Sequence, residues 1–156
     1  MAKPQLDDLD YKILEMLALN ARKPYLEVAR ECGVSGAAIH QRIQKLNNMG
    51  VLKGSESLIN PSAVGFDTCA YIGIFLKDPM NYGEVVNCLR NIPEVVECHF
   101  TTGQYDMFVK IYARNNDDLL KIIHGKLQNL GLARTETLIS FKEVFKRQIP
   151  INREEE

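Results

Sequence analysis

RKPYLEVARECGVSGAAIHQRIQKLNNMG, residues 22–50, reads as two helices joined by a tight glycine turn. Ala29 stands where two helices must approach closely, Gly33 where the chain needs the positive φ that ends the first helix, and Ser35 where a hydroxyl caps the second. Ile39, Ile43 and Leu46 then recur at helical spacing and form one inward stripe. Such a unit lays its second helix in the DNA major groove. The same pattern also suits an ordinary αα-hairpin in a helical core, and this stretch alone leaves both readings open.

Upstream, residues 6–20 predict another helix. Leu9, Ile13 and Leu17 share one face, Asp7 is the N-cap, and Asp8 and Asp10 sit in the opening turn, where the helix dipole favours negative charge. Pro24 suits the start of the second helix, roughly 24–32, and Gly50 ends the third. Three helices followed by VLKGSESLI suggest a winged helix-turn-helix over residues 1–59, with Gly54-Ser55 at the tip of a short hairpin. Residues 60–67, with Pro61 and Gly65, read as a linker.

From Thr68 the period changes. TCAYIGIFLK is a strand, and YGEVVNCLRNI a helix with Val85, Leu89 and Ile92 inward. EVVECHFTT and DMFVKIYA are strands separated by Gly103-Gln104. Asn115 or Asn116 caps a second helix, and RTETLISFKEVFK is the last strand. The order β-α-β-β-α-β over residues 68–156 is a ferredoxin-like split βαβ, so the fold class is α+β. In the first strand Ala70, Ile72, Ile74 and Leu76 point one way, Tyr71 and Phe75 the other. Both faces are apolar, yet the two helices cover only one. The second face is therefore expected to bury against another copy of the chain.

Composition narrows the function classes. The 156 residues are 46% hydrophobic and 25% charged, which is the range of globular proteins rather than disordered ones. No apolar run reaches the length of a membrane span, and MAKPQLDDLD lacks the apolar core of a secretory signal, so a cytoplasmic location without membrane contact is expected. Net charge is -1, and residues 1–60 hold eight Lys/Arg against seven Asp/Glu. DNA contact must then come from a local cluster. Cys32, Cys69, Cys88 and Cys98 have no CxxC spacing and read as reduced, buried small hydrophobes. Cys98 and His99 face opposite sides of a strand, so neither they nor His40 and His124 suggest a metal site. No nucleophile with a base beside it and no phosphate loop is recognisable, which argues against an enzyme and against a bound cofactor.

With these pieces in place, the chain from about Leu6 to Phe145 resembles the Lrp/AsnC, or feast/famine, family of transcriptional regulators. LDDLDYKIL, GVSGAAIHQRIQKLNNMGVLKG, INPSAVGF, VVECHFTTGQYD and KEVFK carry the resemblance, in order and at matching spacing. It implies a regulator of amino-acid metabolism bound to double-stranded DNA and associated with the nucleoid. It further implies a C-terminal ferredoxin-like (RAM, dimeric α+β barrel type) domain that pairs sheet to sheet in homodimers, with octamers or larger rings built from them.

Within that resemblance the polar face of the third helix becomes the DNA-reading surface. Turning about 100° per residue from Ile39 puts Ala37, Gln41 and Gln44 opposite the core, Ala38 and Lys45 on one flank and His40 on the other. Gln reads adenine; Arg42 and Lys45 neutralise phosphates or read guanine, with support of the helix an equal role for Arg42. Lys53, with Lys3, Arg22 and Lys23, adds phosphate contacts. Gly36-Ala37-Ala38 departs from the hydroxyl residues common in the family, and Ser55 from its wing aromatic, which shifts discrimination toward DNA shape.

The family's free amino-acid effector is carried over onto Phe100, Thr101, Thr102, Gly103, Tyr105 and Asp106, and onto Thr135, Thr137, Leu138, Ile139 and Ser140 of the last strand. A glycine turn exposes N–H groups to a carboxylate, and Asp106 can receive an ammonium; the plainer alternative is a hairpin that Asp106 caps. The functional expectation is a sequence-preferring regulator that senses an amino acid. Its rival is an effector-independent architectural protein that wraps DNA.

Overall fold

In a computed structural model that describes residues 2–151, Asp7 starts α1 (Asp8–Leu19) with a reciprocal cap. Its carboxylate accepts the Asp10 N–H at 2.9 Å, and the Asp10 carboxylate accepts the Asp7 N–H at 3.1 Å. α2 (Tyr25–Cys32) follows Pro24 and stops at Gly33, whose φ of 68° lets its N–H turn back to Ala29 and Arg30. Ser35 caps α3 (Gly36–Asn48) by accepting the Ala38 N–H at 3.1 Å. Ile13, Leu14, Val28, Ala29, Ile39, Ile43 and Leu46 form the core between the three helices. Fully burying an aliphatic side chain of this size contributes roughly 1.5–3 kcal/mol.

The hairpin wing does not form. Residues 52–60 pair with nothing in a strand ladder. Val51 and Leu52 both give their N–H groups to the Leu46 carbonyl, at 2.9 and 3.1 Å, which spends the start of the segment on closing α3. The Gly-Ser-Glu-Ser stretch beyond lacks the β-branched and aromatic side chains that hold a hairpin together.

The second unit is a four-stranded antiparallel sheet in the order β2-β3-β1-β4. Its strands are β1 (Thr68–Leu76), β2 (Val95–Phe100), β3 (Met107–Ala113) and β4 (Leu132–Ser140). Two helices, α4 (Tyr82–Arg90) and α5 (Asn116–Ile122), cover one face. Ala70, Ile72, Ile74, Met107, Val109 and Ile111 meet Val85, Leu89, Leu119 and Ile122 there. Asn115 caps α5, which runs on through a π-turn at Ile123–Leu127. This is the ferredoxin-like connectivity the period predicts.

Three boundaries differ from those the sequence suggests. β4 ends at Ser140 rather than continuing through KEVFK, because Ser140 pairs with Cys69 near the start of β1 and no partner remains beyond it. Residues 60–67 are not a free linker: Ser62–Val64 form a 3₁₀ turn, and the Arg114 guanidinium lies 5.1 Å from the Phe66 ring, within the second unit. The units comprise residues 2–57 with 146–151, and residues 58–145, so the stretch from Lys146 groups with the helices instead of with the sheet. Ile151 packs against the core of the helical unit. No helix among the described residues is long and apolar enough to cross a membrane.

Candidate DNA-binding face and effector turn

α3 is amphipathic in the sense needed to dock on a groove. Its inward stripe buries Ile39, Ile43 and Leu46, while Ala37, His40, Gln41, Gln44 and Lys45 are exposed and Ala38 is half-buried. The His40 ring meets Tyr25 of α2 edge-on at 4.9 Å. Lys53 is exposed. Among the further cations, Lys23 is paired with Glu31, whereas the side chains of Lys3, Arg22 and Lys53 have no partner among the described residues.

Arg42 takes the supporting role. Its guanidinium bridges Asp7 and the fully buried Asp10, 3.2 Å from the latter. A carboxylate taken wholly out of water needs such a partner. The Lys45 ammonium stands 3.9 Å from the same carboxylate while remaining about half exposed. The Arg42 hydrogen bond, with the Asp10 N–H, holds Asp7 down at about pKa 2, and Asp7 in return raises Arg42. The arginine the sequence offers as a DNA contact is thus the tie between α3 and the start of α1.

In the turn between β2 and β3, Gly103 has φ 91° and open space around its α-carbon, so the backbone there is accessible. Thr101 donates its hydroxyl to the Tyr105 carbonyl at 2.9 Å. Asp106 differs from the plain hairpin cap. It reaches across to β1, where one carboxylate oxygen accepts the Leu76 N–H at 2.8 Å and its own N–H donates to the Ile74 carbonyl at 3.0 Å. It therefore closes the end of β1, and only its other oxygen lacks a partner among the described residues.

The remaining expected effector residues are not gathered on one surface. Thr135, Thr137 and Ile139 stand opposite Ile74, Ile72 and Ala70, on the helix side of the sheet; Leu138 and Ser140 stand opposite Tyr71 and Cys69, on the open side. Phe100 pairs with Met107 on the helix side and meets Tyr82 edge-on at 4.9 Å. A hollow of about 400 Å³ lies between the end of β1 and α4, lined by Lys77, Asp78 and Glu84 among others, and none of the expected residues borders it.

What the open face holds instead is an aromatic row: Phe75 to Tyr105 at 5.4 Å, Tyr105 to Phe108 at 5.7 Å and Phe108 to Tyr71 at 5.8 Å. Lys110, only 7% exposed, lies 5.2 Å from the Tyr112 ring and 3.8 Å from Glu97. Tyr105 donates to Glu136 at 2.9 Å, and Glu136 pairs with Arg134 at 2.9 Å. Neither Glu136 nor Arg134 is among the expected residues, although period-two alternation from Leu138 leads directly to both. The cysteines are less buried than their apolar surroundings suggest: Cys32, Cys69 and Cys88 are half-buried and Cys98 is exposed.

Residues 6–47 match the AsnC-type helix-turn-helix domain, and residues 69–150 the Lrp/AsnC ligand-binding domain. The chain is 39% identical to the regulatory protein AsnC of Haemophilus influenzae over 145 residues, 92% of this chain and 97% of that protein. It is 37% identical to the HTH-type transcriptional regulator FL11 of Pyrococcus furiosus over 137 residues, 88% of this chain and 90% of that protein. The solved structure of Escherichia coli AsnC superposes with a TM-score of 0.88 at 36% identity, covering 94% of this chain and 99% of that one.

Proposed function

This chain belongs to the Lrp/AsnC family of helix-turn-helix transcriptional regulators, and on that premise we propose that it binds operators as a homodimer and responds to a free amino acid. The observation that carries the DNA half is α3: a polar face of Ala37, Gln41, Gln44 and Lys45 turned to solvent on a helix fixed from behind by its core stripe and by Arg42. Gln41 and Gln44 have the donor and acceptor pair that reads adenine, and Lys45 and Lys53 are the phosphate contacts.

For the dimer, the support is the open sheet face. An antiparallel sheet presents water with a polar surface, whereas Tyr71, Phe75, Tyr105 and Phe108 line this one. A second copy is the partner that suits it, with octamers built from such dimers in the family manner. For the effector, Gly103 supplies reachable N–H groups and the second oxygen of Asp106 a place for an ammonium. A nucleoid location and the absence of catalysis complete the reading.

One observation favours a second reading. The side chains of Gly36, Ala37 and Ala38 offer no hydrogen bonds at the start of α3 and Arg42 is committed to α1, which thins the base-reading chemistry and suits an architectural protein that wraps DNA without an effector. Footprinting on genomic fragments, with and without each proteinogenic amino acid, separates the two. Discrete protected windows that at least one amino acid alters support the regulator. Continuous coverage indifferent to amino acids overturns it.

A further inference from the structure

Tyr105 belongs to two surfaces at once. Its backbone is part of the 101–106 turn, yet its ring lies in the aromatic row of the open sheet face. Gly73, on β1 between Tyr71 and Phe75, makes this possible. A Cβ at that position would stand 2.4 Å from Cδ1 and Cε1 of Tyr105, so any side chain there would expel the ring. Because φ at Gly73 is not positive, this glycine serves space rather than backbone geometry.

The far end of the ring is anchored as well. The Tyr105 hydroxyl donates to Glu136 Oε2 on β4 at 2.9 Å, and Gln104 of the turn reaches the same oxygen at 3.5 Å. The other Glu136 oxygen takes Arg134 at 2.9 Å, and that guanidinium lies 4.2 Å from the centre of Phe75. The side chain therefore crosses β1 as a strut from the turn to the edge strand. A shift of the turn therefore drags the ring out of its slot and reshapes the row around it.

We propose that Tyr105 is the positioning residue that couples the 101–106 turn to the open sheet face, its ring seated over Gly73 and its hydroxyl held by Glu136, so that an amino acid bound at the turn alters the surface on which a second copy docks. The inference rests on the effector and dimer readings above. It adds the physical link a ligand needs, since a ligand shifts an assembly only through contacts that differ between its two states.

Calorimetry of the full chain with each proteinogenic amino acid, followed by sedimentation velocity with and without the one that binds, tests it. Wild type is expected to bind at least one and to redistribute its oligomers. Tyr105→Phe keeps the ring and loses the anchor, so the ligand-induced change in association constant, taken relative to the variant's own unliganded assembly, falls about tenfold. Glu136→Gln retains an acceptor oxygen and keeps most of the response; Glu136→Ala loses it. Gly73→Ala, if it folds, uncouples ligand from assembly altogether. Wild-type binding with a full response in Tyr105→Phe overturns this inference alone. Wild-type binding that leaves assembly unchanged also overturns it while sparing the effector reading. No binding by wild type overturns both.

Discussion

α3 is fixed to the start of α1 by charge, through Arg42 on Asp7 and the buried Asp10, whereas the open sheet face is fixed by shape, through a tyrosine ring in the gap left by a glycine. Both devices hold a surface in register, but they fail differently. The first responds to protonation and to loss of one partner. The second answers to a single added methyl. Perturbations that act on one and spare the other therefore test whether the two surfaces are independently built.

The largest effect is expected from Phe75→Asp, which puts a carboxylate into the aromatic row and removes a ring from it. Light scattering should show monomer, or the chain should fail to fold, while a dimer of undiminished stability would mean that this face is not the interface. Next is Arg42→Ala, which strips the buried Asp10 of its partner. Breaking a buried pair costs about 3–5 kcal/mol, and the partial exposure of this guanidinium puts the loss near the lower end, read as a lowered melting midpoint of the helical unit with the sheet unit unchanged. If melting is unchanged but DNA affinity drops, the arginine is a DNA contact after all.

Gln41→Ala leaves both devices intact. It should relax preference at one operator position at a cost of about 1–3 kcal/mol, and Lys45→Ala should lower the log–log salt slope by about one without changing preference. Equal binding by both variants removes α3 as the reading helix. The smallest effect belongs to Asp7, whose pKa is lowered from 3.8 to about 2. A carboxyl more acidic in the native state contributes stability that is complete above its unfolded pKa and is lost as pH falls through the native one. The helical unit should weaken between about pH 4 and pH 2, and Asp7→Asn should flatten that limb of the acid-denaturation curve.

Local signals account for most of what could be read from residues alone. Ile39, Ile43 and Leu46 repeat at helical spacing, Asp7 and Ser35 precede their helices, and both caps and the stripe are where the pattern puts them. Side-chain destinations were harder to see. Asp106 bonds Leu76, far from it in the chain, and Arg42 finds Asp7 and Asp10, so neither role is written in neighbouring residues. Gly73 signals by itself that something approaches β1 closely, without saying what. The effector residues of β4 rest on the family resemblance and include neighbours such as Leu138 and Ile139, whereas a strand sends alternate residues to opposite faces.

The position of Ile151 has a consequence for how the protein is made. The core of the helical unit is assembled from the first part of the chain and from a segment translated only after all four strands. α3 can form early, but its unit acquires this contact last, after the sheet residues have been made. During synthesis the helices thus wait for a piece that the whole sheet separates from them in sequence, and a chain cut short near residue 145 would keep all four strands and leave the helical unit one apolar contact short.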